Sequence, residues 1–179
     1  HSVPMLSLSN TYSKEELEDF DGRIKKLTDQ PYEYTCELKF DGLAIALRYE
    51  NGKFVQAITR GDGVQGDDVT TNVKTIRSIP HHLHGDYSPQ FEIRGEIFMH
   101  KRAFQRLNDQ RVAAGEKAFA NARNSAAGTL KMQEQDEVAK RPLDCFVYHI
   151  ISDEDRFIEH YGSLKICEKW GLPVSQEMR

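Results

Sequence analysis

Alternation of apolar and polar residues predicts strands in this chain, because a period of two places successive side chains on opposite faces of a sheet. Strands are predicted over residues 36–42, 43–49, 53–59 and 91–98, and an apolar run over 143–151 adds a fifth. Asn51-Gly52, between the second and third strands, is the strongest short-range signal for a hairpin. Hairpin pairing indicates antiparallel sheets rather than a doubly wound parallel sheet.

Apolar residues at helical spacing predict helices around these strands. Ser13-Lys14-Glu15-Glu16 is a capping box that starts a helix, which ends at Pro31 at the latest. Further helices are predicted over 101–114 and 158–170, and a new strand begins at Val174. No long linker or repeat divides the chain. We therefore expect an α+β fold, with largely antiparallel sheets and flanking helices, in one domain over residues 1–179 and no second domain.

The composition limits the binding partners and the cellular compartment that we expect for the protein. The net charge is -4, with 28 acidic against 24 basic residues, so this segment is expected to bind DNA weakly or not at all. Three cysteines without a C-x-x-C pair argue against a disulfide framework or a zinc knuckle and favour a reducing compartment. No apolar stretch reaches membrane-spanning length. We expect a cytoplasmic monomer.

Lys39 is the candidate nucleophile, because the first predicted strand places it between Glu37 and Asp41 on one face. An unperturbed lysine has a pKa of about 10.4, and neighbouring carboxylates stabilise its charged form. Nucleophilic chemistry would need burial, a nearby cation or a divalent metal, which favours Mg2+. In isolation the pattern favours a structural salt-bridge row. The alternate residues of the strand would face the core: Cys36, Leu38 and Phe40.

Other segments offer partners for a phosphate or a sugar. A loop of three glycines over 61–66 follows Arg60 and either exposes amides to an anion or is a mobile turn. Arg123 and Lys131 bracket a run of small residues that either admits a phosphate or only packs. Glu92, Arg94 and Glu96 would share one strand face. No protein-built metal site is predicted, since 81–84 has histidines but no ligand partners.

Several motifs in matching order resemble the adenylation domain of bacterial NAD+-dependent DNA ligases. They are HSVPMLSL at 1–8, ELKFDG at 37–42, TRGDG at 59–63, RGE at 94–96, the small-residue segment 119–131 and KWGLPV at 169–174. The K-x-D-G element is shared with ATP-dependent ligases and RNA-capping enzymes. The MLSL entry and the Arg123 segment look specific to the NAD+ branch.

The resemblance implies the covalent nucleotidyltransferase fold of DNA ligases and mRNA-capping enzymes, and the first step of nick sealing in replication and repair. Lys39 would attack the adenylyl phosphorus of NAD+, release nicotinamide mononucleotide and become lysyl-AMP, with Mg2+ as cofactor and Asp41 assisting. The adenylate would then activate a 5′-phosphate of nicked duplex DNA. The resemblance also implies the other ligand contacts. The adenine would be contacted by Ser7, Leu8 and Glu37, the sugar region by Arg60 and Glu96, and the phosphate by Arg123 and Lys131.

This sequence departs from the family pattern in two ways. Ala122 and Lys131 stand where the family commonly has proline and arginine, and a lysine pairs with phosphate as a point charge rather than a fork. The family's small N-terminal domain, its later lysine motifs, and its OB, zinc-finger, helix-hairpin-helix and BRCT modules are absent. We therefore expect a partial adenylation domain, truncated at its C-terminus, with little self-adenylylation, and zinc only in the missing part of the parent.

Two alternatives stay open from the sequence. Lys39 could be a salt-bridge member in a non-catalytic adenine-nucleotide-binding module, in which case its removal would leave nucleotide binding intact. The chain could also be another covalent nucleotidyltransferase, such as an ATP-dependent ligase or an RNA-capping enzyme. Comparison of NAD+, ATP and GTP as adduct donors would separate that class.

Overall fold

The computed structural model describes all 179 residues as four strands, six α-helices and one 3-10 turn. The strands are β1 Leu43–Glu50, β2 Lys53–Thr59, β3 Gln90–Met99 and β4 Leu143–Ile151. The helices are α1 Lys14–Lys25, α2 Thr70–Val73, α3 Lys101–Ala113, α4 Ala122–Leu130, α5 Gln135–Ala139 and α6 His160–Lys169, with the 3-10 turn at Asp155–Phe157.

All four strands form one sheet in the order β2-β1-β3-β4, and every neighbouring pair is antiparallel. The β1–β2 turn has Asn51 at φ 48° and Gly52 at φ 73°. Two successive positive φ values are what a type I′ hairpin turn requires, which explains the Asn-Gly pair. The predicted α+β class with antiparallel pairing is confirmed.

One face of the sheet carries the hydrophobic core. Leu47 lies opposite Ala57 and Ile93, and Ile97 lies opposite Cys145, so these side chains share a face. All of them are fully buried. Side chains from α2, α4 and α6 join the same cluster: Val73, Leu130 and Leu164. Because the helices cover this face, the polar side chains of the strands emerge on the other one.

The predicted strand over 36–42 is wrong. Residues 31–41 form no strand, and their backbone is tied down only by Cys36, which exchanges hydrogen bonds of 2.7 and 3.0 Å with Arg179. β1 begins at Leu43 and is already flanked by β2 and β3, so the preceding segment has no free sheet edge beside it. Leu38 is 55% exposed, and of the apolar set only Phe40 packs on the sheet, against Phe98 and Phe146. These two rings lie on the face of Glu96, opposite to the core.

The predicted helices are confirmed with shorter ends. Half of the predicted capping box forms, since the Glu16 amide donates to Ser13 Oγ at 3.2 Å. The Glu16 carboxylate accepts from the Tyr12 amide at 2.6 Å rather than from Ser13, and α1 buries none of its residues. Val174 makes a single parallel bridge to Val147 rather than a strand. The short helices α2 and α5 were not predicted. None of the helices combines the length and the apolar character that crossing a membrane requires.

Candidate active site

The polar face of the sheet is built from β1 and β3. Glu96 lies opposite Ala44, and Arg94 lies opposite Ala46, so the four side chains share the face that the core leaves free. The small alanines leave space beside the two charged groups. The predicted placement of Glu92, Arg94 and Glu96 on one face is confirmed by the same register.

The Lys39 segment is fastened over the end of this face. The Gly42 amide donates to Glu96 Oε1 at 3.1 Å, and Arg123, in the first turn of α4, lies 3.5 Å from Asp41. Lys39, Arg123 and Asp41 all lie close enough to Glu96 to influence its pKa. The structure therefore brings together four residues from segments that are remote in sequence, with the Lys39 side chain exposed among them.

Lys39 is not a member of a salt-bridge row. Glu37 pairs with His160 through a contact of 2.5 Å, and Asp41 pairs with Arg123. Neither carboxylate lies within ion-pairing distance of the Lys39 amine. Both acids instead pair with other residues, which leaves the Lys39 amine without a carboxylate partner from its own segment.

The glycine loop after β2 is a closed turn. Asp62 Oδ1 accepts from the amides of Val64 and Gln65 at 2.9 and 2.7 Å, and the Gly63 amide donates to the Arg60 carbonyl. These amides are therefore not free for an anion, and the prediction of an anion nest is wrong for them. The loop instead orients Arg60, whose guanidinium donates to Ser7 Oγ at 3.3 Å.

The N-terminal residues cross the far part of the polar face as a strap, defined here as residues 1–5. Arg94 donates to the carbonyls of Val3 and Pro4, and Ser2 Oγ donates to Glu92 at 3.0 Å. The Met5 amide donates to the Gly63 carbonyl at 2.8 Å. These contacts deliver the next residues, including Ser7, to the Arg60 side of the site.

Comparison with known proteins shows the family of this chain. The family model described as "NAD-dependent DNA ligase adenylation domain" matches residues 1–179. The chain belongs to this family. Proteins named DNA ligase from Cytophaga hutchinsonii, Phocaeicola vulgatus and Bacteroides fragilis are 49%, 54% and 52% identical to it, over 100% of this chain and 27% of each relative. This adenylation-domain chain therefore spans about a quarter of the length of these relatives.

Lys131, one of the predicted binding residues of the adenylation domain, lies apart from Arg123. Lys131 follows the last residue of α4, about 12 Å along the helix from Arg123. It forms a 2.8 Å ion pair with Asp67 in a separate open cleft of about 460 Å³. Leu8 is 84% exposed. Their roles in ligand binding stay predictions.

Tyr148 of this adenylation domain was not predicted, although it lies close to the site. It sits in β4 where the register to β3 shifts between Arg94 and Gly95. Burial raises the pKa of its phenol, and both Glu96 and Arg60 lie near enough to affect it. The apolar run over 143–151 gave no sign of which residue would reach the site.

Replacement of Glu96 by glutamine is expected to stabilise the adenylation domain near pH 7. Burial raises the pKa of Glu96, and the Gly42 amide and the Lys39 and Arg123 charges offset only part of that rise. Since the folded-state pKa lies above the unfolded one, ionisation of the carboxylate destabilises the fold at neutral pH, and this cost vanishes below the ordinary value of 4.5.

Scanning calorimetry of Glu96→Gln should therefore show a gain in the melting midpoint of up to about 4 °C near pH 7. The gain should disappear near pH 4, where both states carry a protonated carboxyl. A lower midpoint for the variant near pH 7, or a gain that does not change with pH, would contradict the expected cost of this buried charge.

Proposed function

We propose that Lys39 is the nucleophile of an adenylyl transfer from NAD+. Its amine forms a bond to the adenylyl phosphorus, and the bond from that phosphorus to the bridging oxygen breaks. Nicotinamide mononucleotide leaves with the electron pair, and the amine proton is lost, so that lysyl-AMP results. The observation that carries the proposal is an exposed lysine without an ion-pair partner, beside the Arg123–Asp41 pair and Glu96, in a member of this family.

The surrounding groups fit parts of an adenylyl donor. Arg123 can face the phosphate, since guanidinium groups pair with phosphate oxygens. Glu96 and Arg60 both lie near Tyr148, and sugar hydroxyls can bind a carboxylate and a guanidinium there. Glu37 and Ser7 are proposed for the adenine, together with Leu8. Asp41 would orient Arg123, and Lys131 would contact phosphate after leaving Asp67.

We also propose Mg2+ as a cofactor. The residues of this chain contain no cluster of three His, Cys, Asp or Glu side chains suited to a metal ion. The ion would therefore be held mainly through nucleotide phosphates and water, with Asp41 or Glu96 as the available carboxylates, which is usual for Mg2+. Bound there, it would neutralise charge that develops on the phosphate.

Membership of the family also supports proposals about the fold and about the activity of the longer protein. The four-stranded antiparallel sheet would belong to the covalent nucleotidyltransferase fold, with residues 1–179 as part of one adenylation domain. The longer protein would seal nicks in duplex DNA during replication and repair. We propose that the protein is a monomer. We also propose that it is cytoplasmic, which is supported by its three free cysteines, of which two are buried.

Donor competition tests the proposed function. The protein and the longer DNA ligase of Bacteroides fragilis are each incubated with Mg2+ and NAD+, ATP or GTP. Intact mass is recorded together with release of nicotinamide mononucleotide. The expected result is an AMP adduct from NAD+ alone on the longer ligase, little adduct on this chain, and one nicotinamide mononucleotide released per adduct. An adduct from ATP or GTP but not from NAD+ would assign the protein to the other nucleotidyltransferase class. Nucleotide binding without any adduct on either protein would favour a non-catalytic module.

A further inference from the structure

Glu37 and His160 form a contact that the sequence did not suggest. His160 is the first residue of α6, 123 positions from Glu37, and its Nε2 lies 2.5 Å from Glu37 Oε1. An ionised carboxylate only accepts hydrogen bonds, so the imidazole must donate from Nε2. One carboxylate oxygen is thereby fixed, and Oε2 keeps no protein partner.

The imidazole of His160 is itself held from the sheet. Its ring stacks on His149 of β4, with ring centroids 6.3 Å apart and an interplanar angle of 27°. His149 lies opposite Arg94 in the β3–β4 register. Burial lowers the pKa of His149, with further lowering from Arg94 and His160, which favours a neutral ring at this position. The sheet therefore sets the position from which His160 reaches Glu37.

The Glu37 side chain needs such a contact because the backbone around Glu37 makes few hydrogen bonds. Residues 31–41 belong to no strand, and only Cys36 exchanges backbone hydrogen bonds, with Arg179. The side-chain bond to His160 is therefore the contact that fixes the Glu37 carboxylate relative to the sheet. Its side chain is 23% exposed, so part of the Glu37 side chain remains open to a ligand.

We propose that His160 is a positioning residue that makes Glu37 selective for an amino-purine. This inference rests on the proposed function, in which Glu37 faces the base of the adenylyl group. The free oxygen accepts a hydrogen bond from the 6-amino group of adenine, whereas hypoxanthine presents a carbonyl oxygen at that position. Two acceptors cannot pair, and the free Glu37 oxygen is then left without a donor. A carboxylate free to rotate would turn away and lose this discrimination.

Base discrimination separates this role from general support of the fold. Calorimetry gives the dissociation constants of the protein for NAD+ and for nicotinamide hypoxanthine dinucleotide. The wild type should prefer NAD+ by about 10-fold or more, the scale of a hydrogen bond to a charged group. His160→Ala should reduce the preference to about 2-fold or less, whereas His160→Gln, which can donate from a similar place, should keep most of it.

Two further variants complete the test. His82→Ala, at an exposed histidine far along the chain from α6, should leave both constants unchanged. Glu37→Gln should lose the preference, and the addition of His160→Ala to it should cost nothing more, because the two residues act through one contact. Equal weakening of both dinucleotides in His160→Ala, or an unchanged preference, overturns the inference alone. If the wild type binds neither dinucleotide, the proposed function falls with it.

Discussion

Replacement of Gly42 by alanine is expected to slow adenylylation at least about 100-fold, although it removes no functional group. A Cβ at this position would lie 2.1 Å from the Ile97 carbonyl oxygen and 2.8 Å from its carbon. Both are backbone atoms of β3, so the Lys39 segment must move away from the sheet. That movement would break the bond from the Gly42 amide to Glu96 and displace Lys39, and a shift of about 1 Å in a reacting group can cost this much.

The same substitution should lower the free energy of unfolding by roughly 2–3 kcal/mol, the usual cost of a forced fit in a packed site. Gly22→Ala is the matched control, because a Cβ there meets nothing within 4 Å and the residue lies inside α1. It should be neutral or stabilise by about 0.5–1 kcal/mol. Urea unfolding and the rate of adduct formation are measured on both variants. Unimpaired adduct formation by Gly42→Ala would show that the close approach to Ile97 does not position Lys39.

Removal of the Lys39 amine should reduce adduct formation by at least about 1,000-fold, because no second nucleophile replaces it. Lys39→Arg separates chemistry from charge. Arginine keeps the cation but stays protonated and cannot attack phosphorus. We expect Lys39→Arg to bind NAD+ within about 3-fold of the wild type and Lys39→Ala more weakly, with no adduct in either.

Because the matched relatives are longer than this chain, the Lys39 variants are assayed in parallel with the DNA ligase of Bacteroides fragilis, changed at the residue that aligns with Lys39. Intact mass after incubation with NAD+ and Mg2+ is the readout. An adduct of normal yield on Lys39→Ala or Lys39→Arg would remove Lys39 as the nucleophile. Equal NAD+ binding by all variants without any adduct in the wild type or the relative would return Lys39 to a non-catalytic role.

The elements that could be predicted from sequence are those whose signal is local. The Asn51-Gly52 turn needs two positive φ values, and its flanking strands were placed correctly for that reason. The alternation in β3 fixed the face of Glu96 because β3 is paired on both sides. Alternation failed over 36–42, where the pattern is similar but both edges beside β1 are occupied. A period of two reports side-chain polarity and not whether a backbone partner exists.

The candidate site was predicted only as far as motif order carried it. Order along the chain named Lys39 and Arg123, and the structure does place Arg123 beside Asp41. Motif order does not reveal contacts between residues that are remote in sequence, such as the contact of Glu37 with His160 over 123 residues. It also does not reveal which amides of the glycine loop already have hydrogen-bond partners within the loop. Whether an amide is free for an anion depends on where a side chain such as Asp62 turns.

The location of the AMP group on the protein tests the central claim most directly. After incubation with NAD+ and Mg2+, this chain and the Bacteroides fragilis ligase are digested. The modified residue of each is identified by tandem mass spectrometry under conditions that preserve the phosphoramidate bond. The expected result is AMP only on the Nζ atom of Lys39, in low yield on this chain, and on the aligned lysine of the longer ligase, with nicotinamide mononucleotide released in equal amount. Attachment of AMP to any other residue of this chain would contradict the assignment of Lys39 as the nucleophile.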